Sequence, residues 1–183
     1  IACRFNSTTG PVWKTDMSKL IKIKKSVIQM LDSSAPWIGL LAVRLLMGWE
    51  YLESGLEKFH GENWFTEIQG DFPFPFNVVP TSISWQMATW FEIIGGIALI
   101  IGLGTRFFSL TLIILTIVAT SAVHWPEMWS MFSELLKGYV ITDNGFGNFK
   151  LPILFLAMLT ALLFYGPGKL SIDAFIRRKY MGR

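Results

Sequence analysis

Glu92 lies inside an apolar stretch of membrane length, residues 83–103, written ISWQMATWFEIIGGIALIIGL. A carboxylate there is expensive unless it is protonated, paired or beside water, which makes it the first place to look for chemistry. Arg44 interrupts a second apolar run in the same way. Such a charged interior can hold a ligand, carry protons, or simply fix the register of two helices. A second group gathers where the apolar runs end. His124 closes a third run beside Trp125 and Pro126, and His60 follows the first, with Glu50, Glu53 and Glu57 approaching the same level. Imidazoles, carboxylates and tryptophans near one rim are the donors and acceptors that a quinone headgroup needs beside an apolar slot. A metal ion could use His60, His124 and a carboxylate, although their spacing matches no local metal motif. The plainer alternative has His124 capping its helix end by hydrogen bonding and His60 in solvent.

The rest of the inventory is thin. The chain has no GxGxxG fingerprint, no Walker loop and no CxxCH haem motif, and no Ser–His–Asp order can be argued. Cys3 is the only cysteine, which excludes an internal disulfide or a CxxC pair. Any redox chemistry would then pass through a diffusible carrier or a redox subunit held by this chain.

The elements that must position these residues are membrane helices. Hydrophobic residues make up 52% of the 183, and several apolar runs reach about 20 residues, which a soluble domain of this length rarely carries. The eight Trp and fifteen Phe suit interfacial belts and helix packing. The chain starts at Ile1 rather than Met, as a cut or processed start would, and no cleavable signal peptide can be read in it. Residues 1–18 read as a loose tail, and 19–32, KLIKIKKSVIQMLD, as a basic amphipathic helix of the headgroup layer or of the soluble side. Spans are expected near 37–56, 83–103, 107–124 and 150–165, the last ended by GPG at 166–168. GLGTR at 102–106 makes the second and third spans antiparallel neighbours. The loop 57–82 holds Pro73, Pro75 and Pro80 and too many aromatics for a water-facing linker, so an interface-hugging cap is expected. Residues 127–140 read as a surface-lying helix. The fold class is therefore all-α: a polytopic membrane protein, four transmembrane helices in a bundle with amphipathic surface helices. Its divisions are a cytoplasmic tail and basic helix over 1–34, the bundle over 35–168 with outward loops 57–82 and 125–149, and a basic cytoplasmic tail over 169–183.

Four spans put both termini on one side. That side carries Lys14, Lys19, Lys22, Lys24, Lys25, Arg106, Lys169, Arg177, Arg178, Lys179 and Arg183, whereas the other has Lys58 and Lys137 beyond the spans, Lys150 at the base of the fourth, and the acids Glu57, Glu62, Glu67, Asp71, Glu127, Glu134 and Asp143. The positive-inside rule makes the termini cytoplasmic. The net charge of +3 is thus a topology signal, and nucleic acid is not an expected partner.

Helical spacing sorts the interior groups. Arg44, Gly48, Tyr51, Gly55 and Lys58 share one face of the first span, and Gly48 and Gly55 let another backbone come close. Trp85, Ala88, Glu92, Gly96, Leu99 and Arg106 form a stripe on the second. Arg106, Ser109, Ile113, Thr120 and His124 form one on the third. Counted from the ends of their runs, Arg44 and Glu92 differ by roughly 6 Å in depth. An Arg44–Glu92 pair is therefore expected, either structural or part of a ligand or proton site. Arg44, Glu92, Arg106 and His124 are the candidate contacts for a bound cofactor.

These residues resemble the DoxX/DoxD family of small four-helix bacterial membrane proteins. The matching pieces are RLLMGWEYLESGLEKF at 44–59, WFEIIGGIALIIGLGTRFFSL at 90–110, AVHW at 122–125 and GPGKLSIDA at 166–174, spread over roughly residues 36–176. The DFPFPFNVVP loop and the insertion near 126–146 resemble the branch found beside copper-responsive oxazolone-peptide maturation genes. The resemblance implies an inner-membrane protein associated with redox or sulfur metabolism. Members are linked to thiosulfate:quinone oxidoreductase, as its membrane subunit, and to thiol and oxidative-stress complexes. Three functions follow as expectations: a membrane subunit of a redox or sulfur/thiol assembly contacting quinone, a non-catalytic assembly subunit, or a small transporter. Its partners are expected to be lipid and other membrane or periplasmic subunits. Four short helices without an inverted repeat leave little room for alternating access.

Overall fold

A computed structural model of the chain describes residues 12–126, 129–142 and 145–181. Every regular element among them is helical. The long helices are α1 (Val12–His60), α2 (Thr81–Ile101), and α3 (Thr105–Ala119), which runs on as a π-helical turn over Thr120–His124. A single turn α4 (Phe132–Leu135), then α5 (Lys150–Tyr165) and α6 (Ile172–Met181), complete the chain. Two helices, Thr81–Ile101 and Thr105–His124, are long and apolar enough to cross a membrane, and the bent α1 makes a third if taken as one span. α5 is apolar but has only 16 residues.

α1 differs from expectation. The basic helix and the first span are one helix of 49 residues that already begins at Val12, inside the expected loose tail. Its two parts, Lys19–Ala35 and Trp37–His60, meet at 45°. The bend falls between Ala35 and Trp37, where the intervening proline of the sequence has no N–H to give the hydrogen-bond ladder. Residues 1–11 of the expected tail lie outside the described residues. The surface helix expected over 127–140 is only α4 and a 3-10 turn, Leu136–Gly138; residues 127 and 128 are not among those described.

Glycine sets the register of α1 against α2. A Cβ on Gly96 would lie 2.7 Å from Gly48 O and from Leu52 N, and one on Gly55 would lie 2.9 Å from Ile93 N. Backbones approach this closely only where side chains are absent. α1 therefore packs chiefly along α2, and α3 chiefly along α5. The two pairs meet over a core of Met47, Tyr51, Leu99, Leu112, Leu159 and Leu162.

α2 and α3 are joined by a turn that needs two left-handed residues, Gly102 (φ 72°) and Gly104 (φ 58°). The Asp173 carboxylate, at the start of α6, accepts from the Gly104 and Thr105 amides at 2.8 and 3.0 Å. It thus caps α3 from a distant part of the chain. Near the other end, the loop between α1 and α2 folds back on α2. Phe65 and Phe72 are buried there, with the Phe65 ring 4.9 Å from Phe72 and 5.0 Å from Trp85.

Candidate functional site

A cavity of about 650 Å³ lies between the α1–α2 pair and the α3–α5 pair. Residues of both α2 and α3 line it. The two touch at Gly95, where a Cβ would lie 3.2 Å from Leu112 Cδ1. On the loop side of that contact the aromatic loop residues Phe65, Phe72 and Phe76 line the space. Met87 and Phe91 on α2, with Ile114 and Val123 on α3, line it too and are themselves exposed. The cavity therefore opens sideways, beside exposed apolar residues of two helices long and apolar enough to cross a membrane. Its size and largely apolar wall suit a small organic ligand.

A few polar groups reach it. Lys58 Nζ, from the last turn of α1, sits 2.8 Å from Glu92 Oε2 and donates to Ser54 Oγ at 2.7 Å. An ammonium has three N–H bonds, so one is left for the cavity. At the inner end, Thr116 Oγ1 donates to Leu112 O at 2.6 Å, which spends its only proton. Tyr51, 2.5 Å from the same oxygen, must then be the donor, and its own oxygen is left as an acceptor. Toward the loop end, His124 Nδ1 lies 2.7 Å from Asn148 Oδ1. The Asn148 amide nitrogen donates to Ile141 O at 3.4 Å, which turns its oxygen to Nδ1, and Nε2 meets no hydrogen-bond partner among the described residues. The Asn148 backbone N–H also donates to His124 O, at 3.1 Å.

Of the sequence candidates, Glu92 and His124 line this cavity. Arg44 and Arg106 lie at the other end of the bundle, and the expected Arg44–Glu92 pair does not form. Arg44 donates to Pro167 O at 2.5 Å, Leu170 O at 2.9 Å and Ile100 O at 3.4 Å. It thereby satisfies carbonyls that the end of α2 and the GPG turn leave without helical partners. Arg106 donates to Phe164 O at 3.2 Å. The reason is register. The glycine contacts set Arg44 beside the last turn of α2, about two helical turns, roughly 12 Å, from Glu92. Lys58, read as lying beyond the span, is the cation at the level of Glu92.

The expected rim also separates. His60 is exposed, 2.8 Å from Leu56 O through Nδ1, and lies on a different side of α1 with Glu53 and Glu57. No group of three or more metal-ligating side chains forms among the described residues. Tyr51 and Lys58 carried a signal, since both share the stripe of Gly48 and Gly55. Asn148 carried none, because its approach to His124 depends on the fold.

The family profile described as DoxX matches residues 39–125, which hold Lys58, Glu92 and His124. An uncharacterized protein of Haemophilus influenzae is 43% identical over 143 residues, covering 78% of this chain and 86% of its own. No solved structure matches the chain.

Proposed function

The chain belongs to the DoxX family, and from that premise we propose that it is the membrane subunit of a redox assembly whose cavity takes the headgroup of a lipid-soluble quinone. The observation that carries this reading is the cavity itself, apolar, open sideways, and supplied with a few directed polar groups. A quinone's carbonyl oxygens only accept hydrogen bonds. The spare N–H of Lys58 meets that need from the α1 side, with Glu92 holding the ammonium in place. His124, whose Nε2 meets no partner among the described residues, stands on the opposite side to relay a proton when the carrier is reduced. Electrons would come from a partner subunit that oxidises a sulfur or thiol compound. Family membership and the apolar helices support a multi-pass protein of the inner membrane. The four-span arrangement, with α1, α2, α3 and α5 all crossing and the basic termini cytoplasmic, belongs to this proposal and follows from the lysines and arginines of the α1 arm and α6.

The test is direct. The protein in nanodiscs is titrated with a short-chain quinone, and quenching of its tryptophan fluorescence is followed, since Trp64 lines the cavity. Wild type should bind in the micromolar range. Lys58→Met and Met87→Trp, the second filling the opening, should each weaken binding about tenfold or more, the scale of one lost charged hydrogen bond. Absence of saturable quenching in wild type overturns the proposal. It would favour the reading as a non-catalytic assembly subunit, for which the exposed Trp64, Phe74, Trp129 and Phe132 of the loop end speak.

A further inference from the structure

The outer face of α1 carries the wrong chemistry for lipid. Glu53 and Glu57 are exposed, Glu50 is half-buried, and no cation among the described residues pairs with any of them. Glu53, Glu57 and His60 line a groove of about 420 Å³ with Trp49, Leu52 and Leu56, on the side of α1 turned away from the cavity. Their depth follows from the register already described. Leu52 lies against Gly96, Gly55 against Ile93, and the Phe59 ring 5.7 Å from Trp90. Glu53 and Glu57 are therefore within about one helical turn of the midpoint of α2, a helix of span length. A charged side chain facing hydrocarbon at that depth costs about 2.5–3.5 kcal/mol.

Resting on the reading of this chain as one subunit of an assembly, we infer that this face docks a membrane-spanning helix of a different protein, one that brings a Lys or Arg side chain to the level of Glu53 and Glu57. Charge decides between occupants. Lipid tails offer nothing to two carboxylates. A second copy meeting this face through a twofold axis would set the same acids against each other. Nor is there a spare cation at this depth among the described residues, because Lys58 is held by Glu92 and Ser54, and Arg44 sits against carbonyls at the far end. A foreign basic side chain forms the pair, and Trp49, at 60% exposure, is the aromatic anchor beside it.

Photo-crosslinking in native membranes tests this. p-Benzoylphenylalanine replaces Leu56 in the groove or, as a lipid-facing control, Leu110 on α3. Crosslinked peptides are then identified by mass spectrometry. Position 56 should give one dominant adduct, to an apolar segment of another protein with a Lys or Arg within two helical turns of the crosslink. Its yield should fall at least tenfold when Glu53→Gln and Glu57→Gln are introduced together, while position 110 gives lipid adducts. Lipid adducts alone at 56, a crosslink to a second copy, a partner peptide without a basic residue, or a yield indifferent to the two substitutions overturns the inference. The quinone titration on the purified chain is independent of these results, so the two ideas fail separately.

Discussion

Lys58 and Glu92 neutralise each other in a place where neither would be tolerated alone. Both are largely buried, with 16% and 5% of their side chains exposed. Removing one partner strands the other, at a cost of about 3–5 kcal/mol for a buried pair. Lys58→Met should therefore lower the thermal unfolding temperature in detergent sharply. Lys58→Met with Glu92→Leu should recover most of that loss, and a double variant no more stable than the single would refute the pairing argument. Arg44 predicts a different pattern. Arg44→Lys keeps the charge but loses the fork that reaches Pro167 and Leu170, with an expected loss of about 1.5–3 kcal/mol, typical of one charged hydrogen bond. Quinone binding at the far end should stay unchanged, so melting and titration together separate the two roles. Glu92 was legible in the sequence because a lone carboxylate stands out in an apolar run. Its partner was not, because pairing depends on how far one helix slides along another.

At the scale of elements, that slide is set by Gly48, Gly55 and Gly96. Gly96→Ala would push a methyl into the backbone of Gly48 and Leu52, which no rotamer change relieves. An overpacking cost of about 1–3 kcal/mol is expected, with Lys58 displaced from Glu92. Gly39→Ala, with nothing within 4 Å, should be neutral or stabilising by up to about 1 kcal/mol, as in any exposed helix. Circular dichroism melts of the two variants check both statements, and comparable loss in both would remove the register argument. The turn at Gly102–Gly104 and the GPG stop were legible because glycine and proline punctuate locally. The fusion of the basic segment with the first span was not, since Pro36 reads equally well as a helix start or as a bend. The loop between α1 and α2 could be read as a cap from its aromatics, but not which of them would be buried.

At the scale of the whole molecule, composition carried the membrane reading and the positive residues carried an orientation. That orientation is checked with a Cys3→Ala background and single cysteines at Val78 or Lys179, labelled by an impermeant maleimide in intact spheroplasts. Position 78 should label and position 179 only after permeabilisation; the reverse order would invert the proposed topology. What no count of residues reveals is stiffness. α1 and α2 are locked by backbone contact through their glycines, α3 is seated on α5, and the pairs are pinned together at one end by Asp173, Arg44 and the Gly102–Gly104 turn. At the other end Val118 and Ala122 pack against Phe65, Phe72 and Trp85, so the two pairs are clasped above and below the cavity. Spin labels placed within one helix pair should keep their separation in any bilayer. Labels at Met87 and Val123, which line the cavity from the two pairs, should keep theirs as well, and a distance that tracks bilayer thickness would show the loop-end clasp broken.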